Sequence, residues 1–159
     1  MSANLFTNYS QASLGQDVEI SDEADGGDLV ATSGGDIAFV VGDTNLQAAI
    51  VRRVVTPQGN LARYVQDTTG LVSINQDYGN LGYKYLSEPL NALTISRIKD
   101  QIRSCLSQDP RIVVGDINPS VVPYGGTFQV VYNISYTVVG SSVMQSLAVV
   151  QSNATFTGA

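Results

Sequence analysis

Apolar and polar positions alternate most cleanly between Thr127 and Val139. Phe128, Val130, Tyr132, Ile134, Tyr136 and Val138 fall on one side; Thr127, Gln129, Asn133, Ser135 and Thr137 fall on the other. A period of two over that length predicts a half-buried antiparallel strand. Its register is strongly set, because a slip of one residue would turn Phe128, Tyr132 and Tyr136 to solvent. Gly140-Ser141-Ser142 closes a hairpin into Val143–Gln151, which alternates less well, lies near the chain end and reads as an edge strand. Upstream, the Ile- and Val-rich run Arg111–Asn118 predicts a partner strand, and Pro119–Gly126 reads as a loop. The period changes to that of a helix in two places. Thr44-Asn45-Leu46-Gln47 matches a capping box with Thr44 at the N-cap, and Leu46, Ala49, Ile50 and Val54 then share one face. Pro57 and Gly59 stop that helix near Val55. A second helix is predicted over Thr94–Gln108, with an apolar stripe of Ile95, Ile98, Ile102, Cys105 and Leu106, ended by Pro110.

The remaining segments are connectors. Residues 1–15 are polar and aperiodic and read as a flexible arm. Two short copies follow, Gly26-Gly27-Asp28-Leu29-Val30-Ala31 and Gly34-Gly35-Asp36-Ile37-Ala38-Phe39. Each is a turn followed by a β-prone run, which predicts a hairpin. Their spacing does not match the nonapeptide calcium-binding repeat. Asp67-Thr68-Thr69-Gly70 and Asp77-Tyr78-Gly79-Asn80 are turns, and Leu81–Leu86 is a short helix or a buried loop. The order of elements predicts an α+β fold, with helices packed on one face of a small antiparallel sheet that ends in a C-terminal meander. We assign a single domain to residues 16–151 and a polar tail to 152–159.

Composition narrows the chemistry. The 159 residues include no histidine and one cysteine, Cys105. This removes histidine-based catalysis, histidine-ligated metals, an intrachain disulfide and a cysteine-rich zinc site. Cys105 lies in a helical apolar stripe and needs no role beyond packing. Charged residues are 14% of the chain, against about 25% in an average protein. Their distribution is uneven: residues 1–51 hold eight acids and no base, whereas residues 52–159 hold eight bases and six acids. An acidic front half disfavours nucleic acid, whose phosphates demand clustered Lys and Arg, and reads as an arm steered toward a basic surface. The sequence has no apolar run of about 18 residues for a membrane span. Its opening segment lacks the basic and apolar regions of a secretory signal.

Candidate catalytic groups are few. Glu88 and Asp109 form the available carboxylate pair for glycoside hydrolysis, but nothing in their spacing is diagnostic. No phosphate-cradling glycine loop is present, and no cofactor or metal site is expected. Two short motifs stand out instead. Asp109-Pro110-Arg111 joins the second helix to the first strand of the meander. There Pro110 ends the helix and Arg111 is held at a fixed corner, able to pair with a carboxylate of its own fold or of a partner. Tyr78-Gly79 occupies a turn.

Taken in order, these features resemble a family. The helix and turn Asn45–Leu61, with Thr56-Pro57-Gln58-Gly59, the Asp77-Tyr78-Gly79-Asn80 motif, and the helix Ile95–Leu106 leading into Asp109-Pro110-Arg111-Ile112 and β-hairpin strands are similar to the sheath-initiator (baseplate wedge) family of contractile phage tails. That family has relatives in tailocins, injection particles and type VI secretion baseplates, and some members carry a lysozyme label. The resemblance covers residues 36–151. It departs from the family at the corner, where Asp109 stands in place of the usual Glu, and in the long acidic arm. The resemblance implies a non-enzymatic protein of the virion, assembled in the host cytoplasm. Its copies would sit in a ring around the tube, contacting the tail sheath protein, the baseplate wedge proteins and the tail tube or hub, with no nucleic acid, membrane or cofactor. The expected partner-binding residues are Asp109, Pro110, Arg111, Tyr78 and Gly79 at the two motifs, and Val143, Gln145, Leu147 and Val149 on the edge strand, where sheath would add by strand pairing. The rival assignments are a tail completion or connector protein, and a small glycan hydrolase acting through Glu88 or Asp109.

Overall fold

The computed structural model describes residues 14–20, 29–68, 70–89, 91–124 and 127–154. The chain divides into two compact units, residues 1–49 and 50–159, where the sequence alone suggests one domain over 16–151. The boundary falls inside the first helix. The fold class is α+β, as expected, with two helices among the described residues and three small antiparallel sheets.

In the first unit, β1 (Gln16–Val18) pairs antiparallel with β2 (Phe39–Val41). Isolated bridges Ile20↔Leu29 and Ala31↔Ile37 extend this small sheet. The second Gly-Gly-Asp copy makes the predicted turn. Gly35 adopts φ +87°, Thr32 N–H donates to Asp36 O (2.7 Å), and Asp36 N–H donates to the Thr32 hydroxyl (3.2 Å). The first copy's Gly26, Gly27 and Asp28 lie outside the described residues, as do residues 1–13 of the predicted arm 1–15; its last two residues are not a free arm, since Leu14 is 1% exposed and both Leu14 O and Gly15 O accept hydrogen bonds from the start of α1. Helix α1 spans Gly42–Val55. It begins two residues before the predicted cap at Thr44. Gly42, at φ +62°, reverses the chain directly out of β2, and its N–H donates to Gly15 O (3.3 Å), so no side-chain cap at Thr44 is needed. Asn45, 5% exposed, donates to Leu14 O (2.9 Å).

The second unit holds the larger core. After α1 comes a hairpin, β3 (Arg63–Asp67) and β4 (Gly70–Ile74), paired only to each other among the described strands. The turn at 67–70 was predicted and its flanking strands were not. A 3₁₀ turn follows at Gly82–Tyr85, and then α2 (Ala92–Leu106), capped by Asn91, whose Oδ1 accepts from Thr94 N–H (2.9 Å). The helix therefore starts at Ala92, behind its Asn91 cap, rather than at Thr94, and ends at Leu106 rather than Gln108, before Pro110 is reached. Thr94, Ile98, Ile102, Cys105 and Leu106 are its buried face, and it packs on the 3₁₀ turn and on β5.

The meander is β5 (Ile112–Tyr124), β6 (Thr127–Val138) and β7 (Met144–Ala154), in that order. In β6, Val130, Tyr132, Ile134, Tyr136 and Val138 are all at most 3% exposed, the alternation read from the sequence. Two boundaries are corrected. The predicted loop Pro119–Gly126 is strand as far as Tyr124: Pro119 pairs with Tyr132 and Pro123 with Phe128. An edge strand accepts proline because the missing N–H on its free side costs no ladder bond. β7 also runs to Ala154, three residues into the predicted polar tail. A register shift between Val114 and Ile117 bends β5. There the Ser135 hydroxyl accepts from Asp116 N–H (2.6 Å) and donates to Asp116 O (3.1 Å).

The Tyr-Gly turn closes against the end of α1. Asn80 N–H donates to Thr56 O (2.8 Å) and Gln58 N–H donates to Asn80 O (3.1 Å). Gly79 has φ +103°, and a Cβ there would stand 2.5 Å from Thr56 O and 2.9 Å from Pro57 C and O. Backbone cannot yield as a flexible side chain can. Gly79→Ala is therefore expected to cost about 2–4 kcal/mol. It should lower Tm by about 5–15 °C in a calorimetric or circular-dichroism melt; an unchanged Tm would contradict this packing.

Candidate functional site

The two sequence motifs meet around a residue that sequence reasoning treated as ordinary. Arg53, in the last turn of α1, lies over the Tyr78 ring with its guanidinium carbon 4.8 Å from the ring centroid. Its Nη1 donates to Cys105 O (3.4 Å) and Gln108 Oε1 (3.2 Å) at the end of α2. The Cys105 thiol donates back to Arg53 O (3.6 Å). The sequence suggested for Arg53 only a favourable place near the negative end of the helix dipole. An arginine beside buried Val54 with an aromatic motif downstream is the signal that was available.

Asn80 is the second missed residue. It is 1% exposed. Its Nδ2 donates to Val54 O (3.2 Å), satisfying a carbonyl left open at the helix end, and its Oδ1 accepts from Gly82 N–H (2.7 Å). One buried amide thus joins α1, the Tyr-Gly turn and the 3₁₀ turn.

Asp109-Pro110-Arg111 is a closed corner. Asp109 Oδ1 accepts from Arg111 Nε (2.9 Å) and Arg111 N–H (3.0 Å), and Oδ2 accepts from Arg111 Nη2 (2.6 Å). This is the two-pronged carboxylate–guanidinium geometry that only arginine provides. Of the two options read for Arg111, its own fold supplies the carboxylate. Asp109 is 6% exposed, while the Arg111 side chain keeps 30% of its surface in solvent. The Arg111 hydrogen bonds hold the Asp109 carboxyl below the usual carboxylate range against the opposing effect of burial. Asp109 raises the Arg111 guanidinium in turn, and nearby Tyr78 adds to this. Arg111 O accepts from Val139 N–H (2.8 Å), tying the corner to the end of β6.

Asp109, one of the two carboxylates considered for glycoside hydrolysis, is held in its charged form by Arg111. Glu88 faces Arg97 at 3.5 Å on the surface. Cys105 is pushed up to about 11 by burial, so its thiol stays protonated and inert at neutral pH. Among the described residues no group of three His, Cys, Asp or Glu is placed to hold a metal. No helix among them is long and apolar enough to cross a membrane. An open polar cleft of about 320 Å³ beside Tyr78 is lined by Arg53, Asn75, Asp77 and Gln108 among others.

The other expected contact residues lie apart from this corner in the sheet. Val143 precedes β7 and is 64% exposed. Gln145, Leu147 and Val149 pair with Tyr136, Ile134 and Tyr132 and share the core-facing side of β7; Val149 is 1% exposed. Met144, Ser146, Ala148 and Val150 occupy the outer side and are exposed. Among the described strands β7 pairs only with β6 and is an edge strand, as read from the sequence; β5 is the other edge.

No family model matches the chain, and no curated protein matches it. Among solved structures it is similar to a crystal structure from Geobacter sulfurreducens named "putative tail lysozyme", with 15% identity and a TM-score of 0.53. The match covers 78% of this chain and 95% of that one. At that identity the likeness establishes a shared fold.

The corner makes a pH-dependent contribution. Its folded carboxyl pKa lies below the unfolded value of about 3.9. Its stabilisation is therefore complete above the unfolded pKa and disappears as pH falls through the folded pKa. Asp109→Asn should cost about 1–2 kcal/mol at pH 7, Arg111 being partly exposed. In urea denaturation the gap from wild type should narrow only below about pH 4. A gap constant down to pH 2 would show that the ion pair is not its source.

Proposed function

We propose that this chain is a structural baseplate protein of a contractile tail, without catalysis of its own. In this reading it nucleates sheath polymerisation by pairing the edge of β7 with a strand of the first sheath layer, and it links that layer to the baseplate wedge. The observation that carries the reading is the state of that edge. β7 is eleven residues long and contains no proline and no charged residue. Proteins usually blunt such an edge with proline, lysine, a bulge or a cover, because bare N–H and C=O groups invite another strand. Both outer strands have a register shift against β6, β5 between Val114 and Ile117 and β7 opposite Phe128–Val130, but only β5 adds proline and charge, in Pro119, Pro123 and Asp116. In this reading, the contrast in proline and charge within one three-stranded sheet favours β7 as the recruiting edge. Main-chain bonds along it would supply affinity, and exposed Met144 and Val150 on its outer face would supply selectivity.

The likeness to a protein named for a tail, together with the motif order at 45–61, 77–80 and 109–112, supports the tail assignment. The Asp109–Arg111 and Arg53–Tyr78 corner then serves the sheet. It fixes where β5 begins and so where the meander stands. The neighbour's lysozyme name favours the hydrolase as the alternative, and an assay on peptidoglycan separates the two.

Successive residues of a strand aim their amides to opposite sides, so one of Ala148 and Val149 directs its N–H away from β6. Proline there removes an outward donor while sparing the β6 ladder. The variant of this pair that keeps the wild-type circular-dichroism spectrum should fail to start sheath assembly on purified baseplates, with yields at least about tenfold lower. Wild-type yield would place the recruiting edge elsewhere, and cleavage of peptidoglycan by the pure chain would overturn the structural reading.

A further inference from the structure

The small sheet of the first unit is turned inside out relative to ordinary patterning. Cross-strand partners share a face, so the register Gln16↔Val41 and Val18↔Phe39, with the bridges Ile20↔Leu29 and Ala31↔Ile37, defines its two sides. One side carries Asp17, Glu19, Val30, Ala38 and Val40, all half-buried. The other presents Ile20, Leu29, Ile37, Phe39 and Val41, each between 48% and 56% exposed. Scattered exposed apolar residues need no explanation, but five large ones in register on one sheet face form a contiguous patch of the kind that marks an interaction surface.

Charge identifies the occupant. Residues 1–51 hold eight acids and no base. Asp36 adjoins Ile37 in the chain, and Asp43 follows Val41 by two residues. An anionic membrane or a nucleic acid would be repelled by such a field. So would a second copy placed face to face, since it would double the charge. We infer that the face formed by Ile20, Leu29, Ile37, Phe39 and Val41 is a docking surface for another protein whose contact patch is apolar at its centre and rimmed by Lys and Arg. The apolar face supplies the contact energy, and the carboxylates supply the on-rate and the choice of partner. This surface lies in the first unit, and it stands or falls independently of sheath pairing at β7.

The test uses the full chain and two synthetic peptides, one alternating Lys with Val and Phe, the other alternating Glu with the same residues. Fluorescence anisotropy should show the Lys peptide binding at least about tenfold more tightly than the Glu peptide. Raising salt from about 0.05 to 0.5 M should weaken it at least about fivefold. The double variant Ile37→Thr, Phe39→Ser keeps a strand-compatible residue at position 37 and should lose at least about tenfold in affinity for the Lys peptide. Should that variant lose its native circular-dichroism spectrum, Val41→Thr replaces it, with a loss of about threefold or more. Equal binding of the two peptides, unchanged binding by a folded variant, or no binding at all overturns the proposal. So does binding to phosphatidylglycerol vesicles, self-association in sedimentation that the variant abolishes, or a tenfold gain in peptide affinity on deleting residues 1–13, which would make the chain's own arm the occupant.

Discussion

Every second side chain of β6 from Val130 to Val138 points into the core, and that single constraint orders the three-stranded sheet. Val130, Tyr132, Ile134, Tyr136 and Val138 are buried together, so the strand cannot slip without exposing two tyrosines and three aliphatic residues at once. Burial pushes the Tyr132 phenol upward, and its hydroxyl donates to Gln151 Oε1 at 2.8 Å across to β7. The neutral phenol is thereby kept as a donor that helps pin the outer strand. With β6 fixed, β5 and β7 have defined registers on either side, and each leaves one edge unpaired within the sheet.

The starting point of β5 is fixed as tightly as its register. Pro110 and the Asp109–Arg111 fork turn the chain from α2 into β5, and Arg111 O takes the N–H of Val139 just beyond β6. Arg53 then binds the end of α2 through Cys105 and Gln108 and covers Tyr78. Gly79 lets the Tyr78 turn approach the Thr56 and Pro57 backbone where no Cβ fits. Charge is sparse in this chain, and a large share of its described cationic contacts gathers at this one corner. Arg53 and Arg111 hold backbone elements in place there through hydrogen bonds to carbonyl, amide and carboxylate oxygens.

What the sequence made legible follows from the range of the interactions involved. The alternation of β6, the stripes of both helices, the turn at Gly34-Gly35 and the edge position of β7 depend on near neighbours or chain order, and they were readable. The β3–β4 hairpin was not. Tyr64, Val65, Leu71 and Val72 are all exposed, so neither strand shows the apolar-in, polar-out alternation that signals a half-buried sheet. The extension of β5 through Pro119 and Pro123 was hidden because proline argues against a strand unless the strand is known to be an edge. At the candidate site, Tyr78, Gly79, Asp109 and Arg111 were singled out as two separate motifs. Their meeting through Arg53, and the tie made by Asn80 between Val54 and Gly82, depend on contacts between segments 25 or more residues apart, which no local pattern encodes.

The uncovered surfaces share a chemical logic. β7 offers main-chain donors and acceptors without charge, and the β1–β2 sheet offers aliphatic and aromatic side chains within an acidic segment. A monomer gains nothing from either. A bare edge risks indiscriminate pairing, and an outward-facing phenylalanine and three outward-facing isoleucine and leucine side chains forgo burial worth about 1.5–3 kcal/mol each. The remaining sequence could have been spent on protection, as it is on β5, where two prolines, an aspartate and a bulge occupy thirteen residues. Proline and charge on one edge and their absence on the other, within the same sheet, fit the proposed assembly role. Partners would then supply the burial that the isolated chain leaves unmade.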